Sequence, residues 1–145
     1  MPTTFHKILV PIDFSEPSER ALHYAIEWGR SLSAELTLIH VIQSIMEVGI
    51  DMTPAVPVAH LERLEEELTQ HMHTRLQRVK DGGVEGDLVM AYGAPFYETI
   101  EVVKARQMDL IIMGSHGRTG FSHVLLGSMA EKLVRLAPCP VLVVR

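Results

Sequence analysis

The run Lys7-Ile8-Leu9-Val10-Pro11-Ile12 is apolar without interruption from Ile8 onward. A strand with one face in water alternates apolar and polar side chains, whereas one covered on both faces has no reason to. This run is therefore expected to be a central strand of a parallel sheet with helices on both sides. The next residues fit a helix packed on that sheet: Ser15 is a good N-cap, Pro17 suits a first helical turn, and Ala21, Leu22, Ala25, Trp28 and Leu32 recur at helical spacing. The spacing predicts a helix from Glu16 to Ser33. Glu35 to Val41 then reads as a second strand, rich in residues that suit a pleated sheet.

Ile42 to Val58 carries Gly49, Pro54 and Pro57 and no sustained period, long for a connection in a small domain and suited to a mobile loop or a lid. Leu61, Leu64, Leu68, Met72, Leu76 and Val79 mark one face of a second helix, ending near Asp81 before Gly82-Gly83. The strand-then-helix order continues. Val84 to Tyr92 reads as a strand, Gly93-Ala94-Pro95 opens a helix through Arg106, and Asp109 to Met113 is a strand. Ser128 to Leu136 is a helix and Val141 to Val144 the last strand. Five strands alternating with four helices predict an α/β fold of three layers, α/β/α, around a parallel sheet. Spacing alone leaves the order of strands open.

A chain of 145 residues, 47% hydrophobic and 21% charged, is the size and composition of one globular domain, so residues 1–145 are read as a single unit. A net charge of −5 argues against nucleic acid or an anionic membrane surface as a partner, since both demand surplus Lys and Arg. No apolar run approaches a membrane span, and Met1 to Lys7 lacks the apolar stretch of a signal peptide, so a cytoplasmic protein is expected. The single cysteine, Cys139 between Pro138 and Pro140, reads as a buried packing residue.

The most informative loop is Met113-Gly114-Ser115-His116-Gly117-Arg118-Thr119-Gly120, leaving a strand, with Gly127-Ser128 at the next helix start. Glycines there permit positive φ and let a ligand come close to the backbone, and the free N–H groups of a first helical turn favour an anion. Ser128 offers a hydroxyl and Arg118 a guanidinium to a phosphate; alternatively the glycines form a plain turn and Ser128 an N-cap. The loop is not a P-loop, because no Lys-Ser or Lys-Thr pair follows at the required spacing. It is not a dinucleotide fingerprint either, because the turn after the first strand, Pro11 to Ser15, has no glycine. Asp13 in that turn suits a carboxylate accepting from a ribose or adenine donor, or one that caps the first helix together with Ser15.

Gly114-x-x-Gly117, nine residues, then Gly127-Ser128 resembles the ATP-binding signature of universal stress proteins. The opening Lys7 to Asp13 and the closing Cys139 to Val144 resemble the family's two ends, so the likeness spans the chain. The resemblance implies a five-stranded parallel sheet in the order 3-2-1-4-5, a Rossmann-like fold akin to the adenine nucleotide alpha hydrolases. It also implies ATP as ligand; magnesium or manganese is expected with the phosphates, since no all-protein carboxylate site is evident, and no catalytic residue or protein metal site is assigned. Pro11, Asp13 and the backbone of Val41 would surround adenine and ribose; Met113, Gly114, His116 and Gly117 would line the middle of the nucleotide. Arg118, Gly127, Ser128 and Met129 would surround the phosphates. A homodimer joined through Val141, Leu142, Val143 and Val144 is implied as well, and that apolar strand lacks the charge that protects a sheet edge.

Rival chemistries find less support. His71 and His73 are two apart on a helix and cannot face the same way, and His60 and His71 lie about 16 Å apart by helical rise. A response regulator would carry an Asp at the end of the third strand, where Met90-Ala91-Tyr92 stands. No aromatic platform suits a flavin. His116, Ser115 and Ser128 are the nearest candidates for chemistry on a γ-phosphate, and none belongs to a recognisable triad.

Overall fold

The computed structural model describes residues 4–43, 57–117 and 125–145. The chain alternates strand and helix throughout: β1 (Lys7–Pro11), α1 (Glu16–Leu32), β2 (Glu35–Ile42), α2 (Val58–Asp81) and β3 (Gly86–Tyr92) come first. They are followed by α3 (Pro95–Arg106), β4 (Leu110–Gly114), α4 (Ser128–Leu136) and β5 (Val141–Val144). Every strand pair is parallel and the sheet order is β3-β2-β1-β4-β5.

The uninterrupted apolar run of β1 has its explanation in the layers. Successive side chains point to opposite faces, and both faces are dry: Ile8, Leu9 and Val10 are all fully buried. Ile8, Val10 and Ile12 join Leu36 and Leu38 under α1 and α2, with Ala21, Leu22, Met72 and Val79. Leu9 joins Ile39, Ile111 and Met113 on the other face, with Ile100 and Val103 of α3 and Ala130 and Leu133 of α4.

The ends of the elements show their local causes. Ser15 is the N-cap of α1, its hydroxyl accepting from Ser18 N at 3.3 Å, and Pro17 sits in the first turn. The helix ends at Leu32 rather than Ser33, which adopts a left-handed conformation (φ 55°) as the C-cap. Trp28, at core spacing in the sequence, is 37% exposed; Gly29 is buried in the contact face instead, where an added Cβ would stand 2.9 Å from Val84 Cγ1. The third strand starts at Gly86, not Val84, whose side chain packs into the core ahead of it.

The face expected along all of α2 holds only for its second half. Met72, Leu76 and Val79 are buried, but Leu61 and Leu64 are exposed; what these first turns reach among the described residues is a hydrogen bond from the Tyr92 hydroxyl of β3 to Glu65, not an apolar surface. The Ile42 to Val58 segment shrinks at both ends, Ile42 closing β2 and Val58 opening α2; residues 44–56 lie outside the described residues.

Candidate functional site

Strand order reverses between β1 and β4, which lie side by side with Ile8 opposite Leu110 and Leu9 opposite Ile111. Their helices depart to opposite faces, so a crevice opens at the carboxyl ends of the two strands, where ligands of such sheets bind. Two segments line it: the turn from Ile12 to Ser15 and the chain around Gly114 to Gly117 and Gly127.

The first turn is fastened residue by residue. Ile12 N donates to Ile39 O at 2.8 Å, and Ile12 O lies 2.7 Å from Nδ1 of His40. A carbonyl only accepts, so Nδ1 carries the proton. Oδ1 of Asp13 accepts from Ser15 N at 3.0 Å and from the Ser15 hydroxyl in a very short contact. Phe14 between them has φ 65°, a left-handed conformation costing a non-glycine residue about 1–2 kcal/mol. Its ring packs against His40 (centroids 4.6 Å apart) and His71 (5.8 Å), and the Arg75 guanidinium lies 4.7 Å from its centre.

Across the crevice the glycines are explained by proximity. Gly114, Gly117 and Gly127 do not have positive φ; the described glycines that do are Gly83 and Gly93. An added Cβ at Gly114 would stand 2.7–2.9 Å from Pro17, at the start of α1. At Gly117 it would stand 2.5 Å from Oδ2 of Asp13, and at Gly127 2.9 Å from His116 Cα. Gly127 N donates to Ser115 O at 2.7 Å, so the chain returns to its point of departure before starting α4. Ser115 N in turn donates to Val144 O at 2.9 Å, and the Ser115 hydroxyl lies 3.0 Å from Nδ1 of His116.

Gly127 is the N-cap of α4 and has no side chain to satisfy the first-turn N–H groups, while Ser128 is the first helical residue rather than the cap. This end of α4 suits an anion. Asp13 braces the start of α1 through Oδ1 and faces Gly117 through Oδ2, so the two readings of this carboxylate are compatible.

The crevice thus brings together Asp13, Gly114, His116, Gly117, Gly127 and Ser128. Pro11 closes β1 beneath the turn. Val41 lies two residues past Ile39, the last β2 partner of β1, and its side chain packs beside the α3 and α4 core. Met113 is buried in that same core, which leaves its backbone to the crevice, and Met129 is partly buried against it. Arg118 lies outside the described residues. Sequence reasoning misses Phe14, Ser15 and His40 as parts of the site. Phe14 leaves only a weak trace there, an aromatic residue in a turn that needs φ above zero.

A cleft of about 520 Å³ also opens at the opposite end of the sheet, beside Lys7, Glu35, Asp87 and Arg106. Two of its charges are spent on each other, Arg106 pairing with Asp87 at 2.6 Å, and Thr37 donates to Asp87 at 2.9 Å. Among the described residues no three His, Cys, Asp or Glu side chains come together as a metal site.

Comparison with known proteins agrees with this architecture. Residues 4–145 match the model of the universal stress protein family. The chain is 30% identical over 147 residues to Universal stress protein YxiE of Bacillus subtilis, covering 97% of this chain and 99% of the relative. Universal stress protein MJ0577 of Methanocaldococcus jannaschii is 32% identical over 158 residues, covering all of this chain and 98% of the relative. The solved structure of MJ0577 superposes with a TM-score of 0.83, covering 98% of this chain and 96% of that one at 31% identity. That of UspA from Lactobacillus plantarum also scores 0.83, at 27% identity, covering 99% of both chains. More distant proteins of the same fold have been solved in complex with cAMP (TM-score 0.74, 20% identity) and, from Archaeoglobus fulgidus, with dAMP (0.65, 18% identity). By the match along its length and by its five-stranded architecture, this chain belongs to the universal stress protein family.

Proposed function

We propose that this chain binds ATP across the carboxyl ends of β2, β1 and β4 and acts as a nucleotide-dependent switch or chaperone-like factor in a stress response. The observation that carries the reading is the meeting of Asp13 Oδ2 with Gly117, beside an α4 N-terminus capped only by Gly127. A carboxylate that accepts hydroxyl donors and a helix start that favours anions stand at one crevice, as a ribose with its phosphates requires. The adenine nucleotides held by distant neighbours of the same fold support that choice of ligand. Magnesium or manganese would arrive with the phosphates, which supply the hard oxygen ligands that the described residues do not gather. A cytoplasmic homodimer belongs to the same reading.

One contact favours a second reading, slow ATP hydrolysis or phosphotransfer: the Ser115 hydroxyl lies within hydrogen-bond reach of His116. Mass spectrometry of the ligand released from freshly purified, denatured protein separates the two. Intact ATP supports the switch, accumulated ADP the enzyme, and protein that neither carries nor binds nucleotide overturns both.

A further inference from the structure

The residue after Asp13 has an improbable backbone and an unusual amount of packing. Phe14 is held at φ 65°, and its ring meets His40 of β2 and both His71 and Arg75 of α2. Two of those partners are anchored elsewhere, and the third lies one helical turn before Arg75. His40 donates to Ile12 O at 2.7 Å, Arg75 Nε donates to Glu19 Oε1 at 2.5 Å, and Arg75 also donates to His71 O at 2.9 Å. Aromatic residues seldom occupy the left-handed region, and strain of this kind persists only where surrounding contacts over-determine it.

We propose that Phe14, clamped by His40, His71 and Arg75, is a positioning residue that aims the Asp13 carboxylate at the ribose hydroxyls of the bound nucleotide. This rests on the ATP reading of the crevice. Oδ1 of Asp13 is committed to Ser15, so the direction of Oδ2 is set by the backbone between residues 12 and 15. His40 and the sheet fix the entry to that turn at Ile12, and the N-cap of α1 fixes its exit at Ser15. The remaining freedom is the reversal at residue 14, which the ring contacts hold. Without the ring, residue 14 relaxes toward negative φ and Oδ2 swings away from Gly117. Asp13 stands in the turn that follows β1, and β1 lies between β2, which carries Val41, and β4, so a nucleotide spanning these strands would pass its sugar over this turn.

The readout is discrimination between ATP and 2′,3′-dideoxy-ATP, measured by calorimetric titration of the full chain. Wild type is expected to prefer ATP by about tenfold, the worth of a hydrogen bond to a charged group. Asp13→Asn and Phe14→Ala should bring the ratio close to one by weakening ATP, while Phe14→Tyr, which keeps the ring, restores it. A purely structural role for Phe14 would lower thermal stability and weaken both nucleotides alike. Should Phe14→Ala fail to fold, the pair His71→Ala with Arg75→Ala opens the clamp from the α2 side and should cost about threefold in the ratio. A folded Phe14→Ala or clamp variant with the wild-type ratio overturns the proposal, as does a wild type that binds both nucleotides equally. Wild type binding neither nucleotide removes the ATP reading itself.

Discussion

A Cβ at Gly127 would stand 2.9 Å from His116 Cα and 3.1 Å from Ser115 O, both backbone atoms at the point where the chain returns to itself. Gly127→Val is therefore expected to push that return open, moving the α4 N–H groups away from a phosphate. ATP affinity should fall more than about tenfold by titration, with the circular dichroism of the fold retained. Gly114 differs because its neighbour is the α1 backbone at Pro17, which cannot move alone. Gly114→Ala should cost about 1–3 kcal/mol in a denaturant melt, the usual range for overpacking. Cys139 offers a third test at this scale. Burial, with a smaller contribution from the Asp109 carboxylate, pushes its thiol above the ordinary range. The thiolate is the reactive form, so alkylation at neutral pH should be slower than for a free cysteine, accelerating only on unfolding.

Among elements, α2 owes its seat to its second half and to charge. Glu19 of α1 receives Arg75 Nε at 2.5 Å and Arg78 at 2.6 Å, across 56 and 59 residues of sequence. Burial pushes the Glu19 carboxyl up, but the guanidinium groups of Arg78 and Arg75 together outweigh it and leave the group below its ordinary 4.5. A folded-state value below the unfolded one means that the stabilisation is fully present above about pH 4.5 and is lost as pH falls through the folded value. The melting-temperature difference between wild type and Glu19→Gln should be steady near neutrality, where it reports about 1 kcal/mol, and vanish in acid. Thermal melts across a pH series decide it. The first turns of α2 are a different case: apolar spacing in the sequence continues through Leu61 and Leu64, yet both side chains are exposed. Periodicity reports the face a helix would bury and does not say how far its partner extends.

For the whole molecule, β5 is the sheet edge, pairing with β4 alone among the strands. Val141, Leu142 and Val143 are half-buried and Val144 is buried, so the strand is apolar, and among the described residues no strand pairs on its outer side. A second copy added antiparallel along this edge would give a two-fold dimer. Sedimentation of the wild type at micromolar concentration should show a dimer. A wild type already monomeric would refute the edge pairing. All four side chains of β5 also pack against the core, so a lysine anywhere along the strand would cost stability as well as pairing, and the wild-type measurement is the direct test. No helix among the described residues is long and apolar enough to cross a membrane.

The sequence by itself determined the order of strands and helices, the parallel sheet and the position of the glycine-rich loop between β4 and α4. The physical reason is that these depend on local signals: side-chain period, caps, and apolar runs that only a doubly covered strand tolerates. The strand order rested on family resemblance, and the structure agrees with it in full. Only the tertiary structure decided why the glycines are there. Gly114, Gly117 and Gly127 are small because Pro17, Asp13 and His116 approach them from distant parts of the chain or across the loop, a constraint of distance that no local pattern encodes. The clamp on Phe14 is likewise a product of packing, joining residues of a turn, a strand and a helix whose contacts exist only once α2 has docked on the sheet.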